Sequence, residues 1–195
     1  MVDIYTYNDI VKNVCVYGLE ESVKASKYPM AVDTEQCTDE ITKRTIFLAT
    51  CEKGSGHDQF LTGIVVQFDL TLSIKAWVEA ERYHWLDFVS SQSTMHRIAV
   101  LDIEEQCNEY VTKNTKKEVQ RLKDVYNADK TAENYLVLLY NIPTGYKLTA
   151  RMTTNYRQLK TIYQQRHNHR LPEWQKFCDW VLTLPRWKEL MCNDV

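Results

Sequence analysis

Asn155-Tyr156-Arg157-Gln158-Leu159 carries the most information about the fold of this 195-residue chain, and Arg166 follows it after six further residues. An asparagine with a glutamine three positions later resembles a capping box, so the stretch predicts a helix that begins at about residue 155. On that helix Asn155 and Arg166 are about three turns apart, on nearly the same face. Arg157 then points to the opposite side, toward a neighbouring subunit or a second ligand.

The predicted helix lies in a window from Asn134 to Pro172 that contains no Asp or Glu, although the chain has 26 acidic residues. Arginine suits planar, bidentate partners such as a phosphate or a pyrimidine edge. We therefore expect a positively lined cleft that binds a phosphorylated small molecule. The alternative is an N-cap asparagine and a solvated arginine without a ligand. The cations of the window are Lys147, Arg151, Arg157, Lys160, Arg166 and Arg170.

Patterns along the chain predict an α+β fold, rich in helices, with a small, mainly antiparallel sheet and one domain over residues 1–195. Residues 11–17, 64–70 and 145–153 have the apolar or alternating character of strands. Residues 90–94 form a polar break. Helices are expected at 20–27, 42–51, 73–88, 103–129 (interrupted near residue 114), 131–140, 155–167 and 173–183, with a short one after Pro185.

Composition excludes several classes of protein. The net charge of −2 argues against general nucleic-acid binding, and no apolar run approaches the ~20 residues that span a bilayer. The N-terminus lacks the features of a signal peptide, and the six cysteines form no CxxC pair, so we expect reduced thiols in a cytoplasmic protein. His167 and His169 diverge on a helix, so no metal site is expected.

A polar segment supplies the second group of candidate residues. Hydroxyls and backbone N–H groups near a helix terminus can hold phosphate. The alternative is a polar loop that caps the next helix. The segment runs Ser90-Ser91-Gln92-Ser93-Thr94-Met95-His96-Arg97.

Two histidines are the remaining candidates, although each alone is more often structural. His57 follows Gly54-Ser55-Gly56, and His84 lies in the predicted helix after the central strand, where Trp77 and Glu81 are expected on the same face. The sequence has no nucleophile elbow, Walker loop or GxGxxG motif.

Taken together, these segments resemble the flavin-dependent thymidylate synthase family. The family's C-terminal pattern is Asn-x-Arg-Glu-Leu, then six residues, then Arg, and later a segment around Gln-Trp-Glu. This chain matches the pattern closely with Asn155 to Leu159, Arg166 and Glu173-Trp174. In the family, that Asn is preceded by a Leu-Pro, a strand and a Thr. In this chain Asn155 is preceded, at the same spacing, by Ile142-Pro143 and the predicted strand over residues 145–153. The family's Gly-His matches Gly56-His57. The matched stretches are 54–97 and 139–174.

The resemblance weakens at the family's Arg-His-Arg signature, where Tyr83-His84-Trp85 stands in this chain. Of the residues of that signature, only His84 and Ser93 are found at the same positions in this chain. Arg97 lies close to the position of a signature arginine but is displaced from it. Leu139 stands where the family has an arginine.

The resemblance implies a role for each matched residue. Asn155, His57 and His84 would contact the flavin, and Arg166 would hold and polarise the pyrimidine as the catalytic residue. We assign the remaining candidate substrate contacts to Ser90, Ser91, Gln92, Ser93, Arg97 and Arg157.

The resemblance also implies a reaction: one-carbon transfer to a pyrimidine mononucleotide, with FAD, NADPH and methylene-tetrahydrofolate, by a homotetramer whose sites combine several subunits. In such a site the cofactor does the chemistry and the protein orients the reactants. Because most of the signature is replaced, two alternatives stay open. One is a non-catalytic protein that binds or sequesters a nucleotide, and the other is an oligomeric scaffold.

Overall fold

The computed structural model describes residues 2–4, 8–52 and 54–191 and contains a five-stranded antiparallel sheet. The strands occur in the order β1-β2-β3-β5-β4, so β3 and β5 are central and β4 lies at an edge. The expected α+β class with a small antiparallel sheet is confirmed. The strands are β1 (Val2–Ile4), β2 (Val11–Tyr17), β3 (Val65–Ser73), β4 (Asp87–Ser91) and β5 (Lys147–Asn155).

Helices make up most of the rest of the fold, with short 3-10 turns between them. None of the helices in the described part of the chain is long and apolar enough to cross a lipid bilayer. The α-helices are α1 (Leu19–Ala25), α2 (Lys43–Thr50), α3 (Ile74–Ala80), α4 (Thr94–Arg97), α5 (Ile103–Gln106), α6 (Lys113–Ala128), α7 (Ala132–Tyr140), α8 (Tyr156–Arg166), α9 (Pro172–Val181) and α10 (Trp187–Met191).

The main core lies between one face of the sheet and the last three helices. Alternate residues of β3, including Val66, Phe68 and Leu70, are fully buried, as a half-buried strand requires. From α8 the same core takes Leu159 and Ile162. A smaller cluster joins α5, α6 and α7, and it consists of Ile98, Ile103, Cys107, Val119, Leu122, Leu138 and Tyr146.

The prediction of a helix over residues 73–88 is wrong in its second half. Helix α3 begins after Ser73, whose hydroxyl accepts from the Ala76 N–H, and it ends at Ala80. The chain then turns through Trp85, which has the left-handed φ of 70°. Residues 87–91 form β4, so part of the expected polar break is a strand, and His84 does not share a helix face with Trp77.

The predicted long helix over residues 103–129 is also divided, earlier than expected. Asp102 caps α5 and Thr112 caps α6, so each piece has its own N-terminal signal. Between them Cys107 forms an isolated β-bridge with Tyr146. This contact between Cys107 and Tyr146 interrupts a region in which the spacing of the charged residues is typical of one continuous helix.

Gly18 is required where β2 turns into α1. It has φ of 70°, and a Cβ built on it would lie 2.5 Å from the carbonyl oxygen of Gly63. We expect Gly18→Ala to lower the free energy of unfolding by about 2 kcal/mol or more, from left-handed strain plus this clash. Gly56→Ala is the matched control, since Gly56 has φ of 76° but open space around it. Equal losses in urea denaturation would refute the role of the Gly63 contact.

Candidate functional site

Asn155 joins β5 to α8 and caps the helix. Its Oδ1 accepts from the Gln158 backbone N–H at 2.9 Å, which is the N-cap half of the expected capping box. The backbone there is anchored at the start of β3, because Asn155 pairs with Val65 and the Tyr156 N–H donates at 3.0 Å to the carbonyl of Ile64, which precedes the strand. Since Oδ1 is the cap, the N–H₂ group of Asn155 remains a donor.

A buried ion pair fixes the first turns of α8 to the loop that carries His57. Lys160 Nζ lies 3.0 Å from Asp58 Oδ2 and also donates to the carbonyls of Ala49 and Cys51, at 2.8 and 3.1 Å. Asp58 is only 3% exposed and Lys160 9%. A lysine buried to this extent requires such partners.

Arg157 faces the other oxygen of the same carboxylate. Its Nε lies 2.8 Å from Asp58 Oδ1, and its Nη1 donates to Gln59 Oε1 at 3.0 Å. The contact with Asp58 is an ion pair without a directed hydrogen bond, since Oδ1 accepts none. Arg157, expected to serve a second ligand or a neighbour, is therefore bound within its own chain.

These contacts bring one candidate histidine to the start of α8. His57 is exposed and directly precedes Asp58, so the ion pair holds its loop against the same helix end that Asn155 caps. The candidate flavin contacts Asn155 and His57 thus occupy neighbouring elements.

Arg166 lies at the opposite end of α8 in a compact polar and aromatic cluster. Its Nε donates to Tyr83 Oη at 2.7 Å and its Nη1 to Glu79 Oε2 at 2.9 Å. Its guanidinium carbon lies 5.4 Å from the Tyr83 ring centroid and 5.1 Å from that of Trp174. The side chain is 13% exposed, so the alternative of a solvated arginine does not apply.

His84 adjoins this cluster through the chain. It follows Tyr83 directly, is exposed and lies in the turn between α3 and β4. The two candidate histidines therefore belong to different ends of α8, His57 near Asn155 and His84 near Arg166.

The Ser90–Arg97 segment forms a third group, along the edge of the sheet. Ser90 and Ser91 pair with Arg151 and Ala150 of β5. Gln92 extends the pairing, because its N–H donates to the Thr149 carbonyl and its Oε1 accepts from the Thr149 N–H, each at 2.9 Å. Ser93 precedes α4, and Arg97 ends it with an exposed side chain.

Folding brings acidic residues to four of the six cations of the acid-free window, so within the described part of one chain these four positive charges are compensated. Arg157 and Lys160 pair with Asp58, and Arg166 pairs with Glu79. Arg151 pairs with Asp69 at 3.2 Å. All three carboxylates lie outside the window in sequence, so a local charge count could not reveal them.

Neither of two cavities at the surface of the protein is lined by a candidate site residue. One of about 370 Å³ lies between the starts of α3, α6 and α9, with Lys75 and Glu173 on its wall. The other, of about 550 Å³, lies in the loop over residues 27–38.

The sequence did not single out Asp58 or Glu79, and it marked Lys160 only as one cation of the acid-free window, without its buried ion pair. Asp58 directly follows the quoted Gly-His pair, and Lys160 lies between Leu159 and Ile162 on the buried face of α8, so helical spacing could have marked it. Glu79 carries no comparable signal, since its partners His169 and Arg166 are far away in the sequence.

The buried thiol of Cys178 is not activated for nucleophilic chemistry. Burial, with a smaller contribution from the charge of Asp179, raises the pKa of Cys178 to about 12, so it stays protonated at neutral pH. In the described ranges no group of three or more His, Cys, Asp or Glu side chains is arranged to hold a metal ion. The clusters offer hydrogen-bond donors and charge.

Comparison with known proteins identifies the fold. No protein-family model and no curated protein sequence matches this chain. The flavin-dependent thymidylate synthase ThyX from Helicobacter pylori, complexed with FAD and dUMP, matches with a TM-score of 0.72 and 16% identity, over 93% of this chain and 98% of that one. A second structure of the same enzyme with FAD and dUMP gives 0.71 and 16%, over 94% and 97%.

A nucleotide methylase shares the architecture. The UMP/dUMP methylase PolB from Streptomyces cacaoi, bound with 5-Br dUMP, matches with a TM-score of 0.61 and 16% identity, over 96% of this chain and 94% of that one. These matches extend the resemblance seen in two stretches of sequence to nearly the whole chain. The chain therefore has the fold of the flavin-dependent thymidylate synthases.

Proposed function

We propose that this protein transfers a one-carbon unit to a pyrimidine mononucleotide, dUMP or a related one, in a flavin-dependent reaction. The observation that carries the proposal is α8, which has Asn155 at its start and Arg166 at its end on a scaffold shared with enzymes that bind FAD and dUMP. The methylase with the same architecture supports a pyrimidine nucleotide as the substrate.

The residues at the start of α8 fit a flavin in chemical kind. Asn155 keeps an amide donor, and His57 offers an exposed imidazole for hydrogen bonds to ring nitrogens and oxygens. Gly56 has nothing within 4 Å of its Cβ position, so the backbone beside His57 can approach a flat ring closely. His84 would contribute a second imidazole. When bound, the flavin would supply hydride-transfer chemistry.

The chain's own side chains would bind and orient the nucleotide. Arg166 would hold and polarise the pyrimidine, because its position between Tyr83 and Trp174 fixes the direction of its N–H groups. The hydroxyls of Ser90, Ser91 and Ser93, with Gln92 and Arg97, would contact the phosphate side. NADPH would reduce the flavin, and methylene-tetrahydrofolate would donate the carbon. No enzyme nucleophile is needed.

A homotetramer would complete the sites. Every residue of β4 is exposed although the strand is paired, and Phe88 and Val89 are 47% and 58% exposed. An exposed edge strand with apolar side chains is suited to contact with another copy of the chain. Such a contact would bring the Ser90–Arg97 segment of one subunit toward α8 of another.

An activity measurement tests the proposal. The purified protein would be incubated with dUMP or UMP, methylene-tetrahydrofolate, NADPH and FAD, and the nucleotides analysed by mass spectrometry. We expect a product heavier by one methylene group, formed by a tetramer in light-scattering chromatography. A protein that takes up no FAD and produces no modified nucleotide would contradict the proposal.

The alternative is a nucleotide-binding protein without catalysis. It is favoured by Tyr83 and Trp85, which stand where the family signature has arginines, and by the engagement of Arg166 with Glu79. Saturable nucleotide binding in calorimetry, without product in the incubation above, would establish it.

A further inference from the structure

The carboxylate of Glu79 lies among three basic side chains, one from its own helix and two from the end of α8 and the turn that follows. Its Oε2 is 2.9 Å from Arg166 Nη1 and 3.2 Å from His169 Nε2. Its Oε1 is 3.4 Å from Lys75 Nζ. The Glu79 side chain is only 14% exposed, so solvent screens these contacts in part. A carboxylate in this position makes the contacts that an anionic group of a ligand would make.

Arg166 cannot readily turn away from Glu79 toward another anion. Its Nε donates to Tyr83 Oη, and its guanidinium lies near the rings of Tyr83 and Trp174. Leaving this position would break the hydrogen bond and the cation–π contacts together. An anionic ligand that reaches Arg166 must therefore approach a guanidinium that already has an internal counter-ion.

We propose that Glu79 is a specificity-determining residue, which occupies Arg166 as an internal anion and selects against negatively charged groups at that arginine. Two anions at one guanidinium repel each other, whereas an uncharged carbonyl or amide edge does not bring this cost. The site then favours the uncharged edge of a pyrimidine at Arg166 and keeps phosphate away from it. This inference rests on the proposed function, in which Arg166 contacts the ligand.

Glu79→Gln is the direct test, since it removes the charge and keeps the size and a hydrogen-bond acceptor. In calorimetric titrations of the full chain, we expect the affinity for inorganic pyrophosphate to rise about tenfold, the effect of removing one unit charge in contact with the guanidinium. The affinity for dUMP should rise as well. The affinity for deoxyuridine, which lacks phosphate, should change less than about twofold.

Two matched variants separate the charge at Arg166 from other effects. Glu81→Gln makes the same change two residues later, at the exposed end of α3, where the described part of the chain shows no ion pair to Glu81. It should bind pyrophosphate as the wild type does. In a variant that already carries Arg166→Gln, adding Glu79→Gln should not raise the affinity for pyrophosphate. A double-mutant cycle measures this coupling between the two residues. Thermal unfolding confirms that each variant is folded.

The outcomes distinguish this inference from the proposed function. If folded Glu79→Gln binds pyrophosphate as weakly as the wild type, if deoxyuridine gains as much as dUMP, or if the gain persists without Arg166, the inference is overturned. If dUMP binding requires Arg166 but has the same affinity with and without the charge of Glu79, the proposed function stands and the inference about Glu79 fails. If no variant binds dUMP but Glu79→Gln gains pyrophosphate through Arg166, the inference survives and the nucleotide function fails.

Discussion

Lys160→Met should lower the free energy of unfolding by about 3 kcal/mol, because it leaves the carboxylate of Asp58 buried without the more deeply buried of its two cations. This is the lower end of the usual range for breaking a buried ion pair, since Arg157 still faces the other oxygen of Asp58 at 2.8 Å. The carbonyls of Ala49 and Cys51 also lose their donor. Chemical denaturation followed by circular dichroism measures the loss.

The matched control is Lys117→Met on the exposed side of α6, which should change stability by less than about 0.5 kcal/mol. Adding Asp58→Asn to Lys160→Met should recover part of the loss, because the uncompensated charge disappears. If Lys160→Met were as stable as the control, the ion pair would not hold the His57 loop on α8.

Trp174→Ala should cost about 3–5 kcal/mol, the range for removing a large aromatic side chain from a packed core. Trp174 is 0% exposed and contacts the rings of Phe177 and Tyr83, with centroids 5.7 and 5.9 Å away. Its loss also removes one of the two rings beside Arg166. The midpoint of urea denaturation should fall accordingly.

Trp85→Ala is the matched control for that substitution. Trp85 is 67% exposed, and alanine keeps the Cβ at its left-handed backbone position, so neither cavity nor strain changes much. Its effect should stay below about 1 kcal/mol. Similar losses in the two variants would mean that Trp174 is not packed as described.

Most of the fold could be predicted from the sequence, because its elements carry local signals. Strands β2, β3 and β5 show apolar or alternating patterns, and α8 has its cap at Asn155. One exception is the helix expected over residues 103–129, which is divided into α5 and α6. Another is the segment from Glu81 to Ser91, whose polar and aromatic residues have no strand period. Its last five residues become β4 by pairing with β5 across an irregularity in register, a contact that no local pattern encodes.

The candidate site could be predicted only in part, since its charges are paired through tertiary contacts. The cations of the acid-free window are visible in the sequence, but their partners Asp58, Asp69 and Glu79 come from elsewhere in the chain. The Asn155 cap could be predicted because its partner is three residues away. The partner of Arg166 lies 87 positions earlier, where spacing gives no information.

Calorimetric titration of dUMP and FAD into the wild type, Arg166→Gln and Arg170→Gln tests the nucleotide site most directly. Arg170 is an exposed arginine four residues after Arg166, so its variant controls for the loss of one positive charge. We predict that the wild type and Arg170→Gln bind both ligands saturably, while Arg166→Gln still folds and binds FAD but loses dUMP. The nucleotide site would be contradicted by a wild type that binds neither ligand, or by an Arg166→Gln variant whose affinity for dUMP equals that of the wild type.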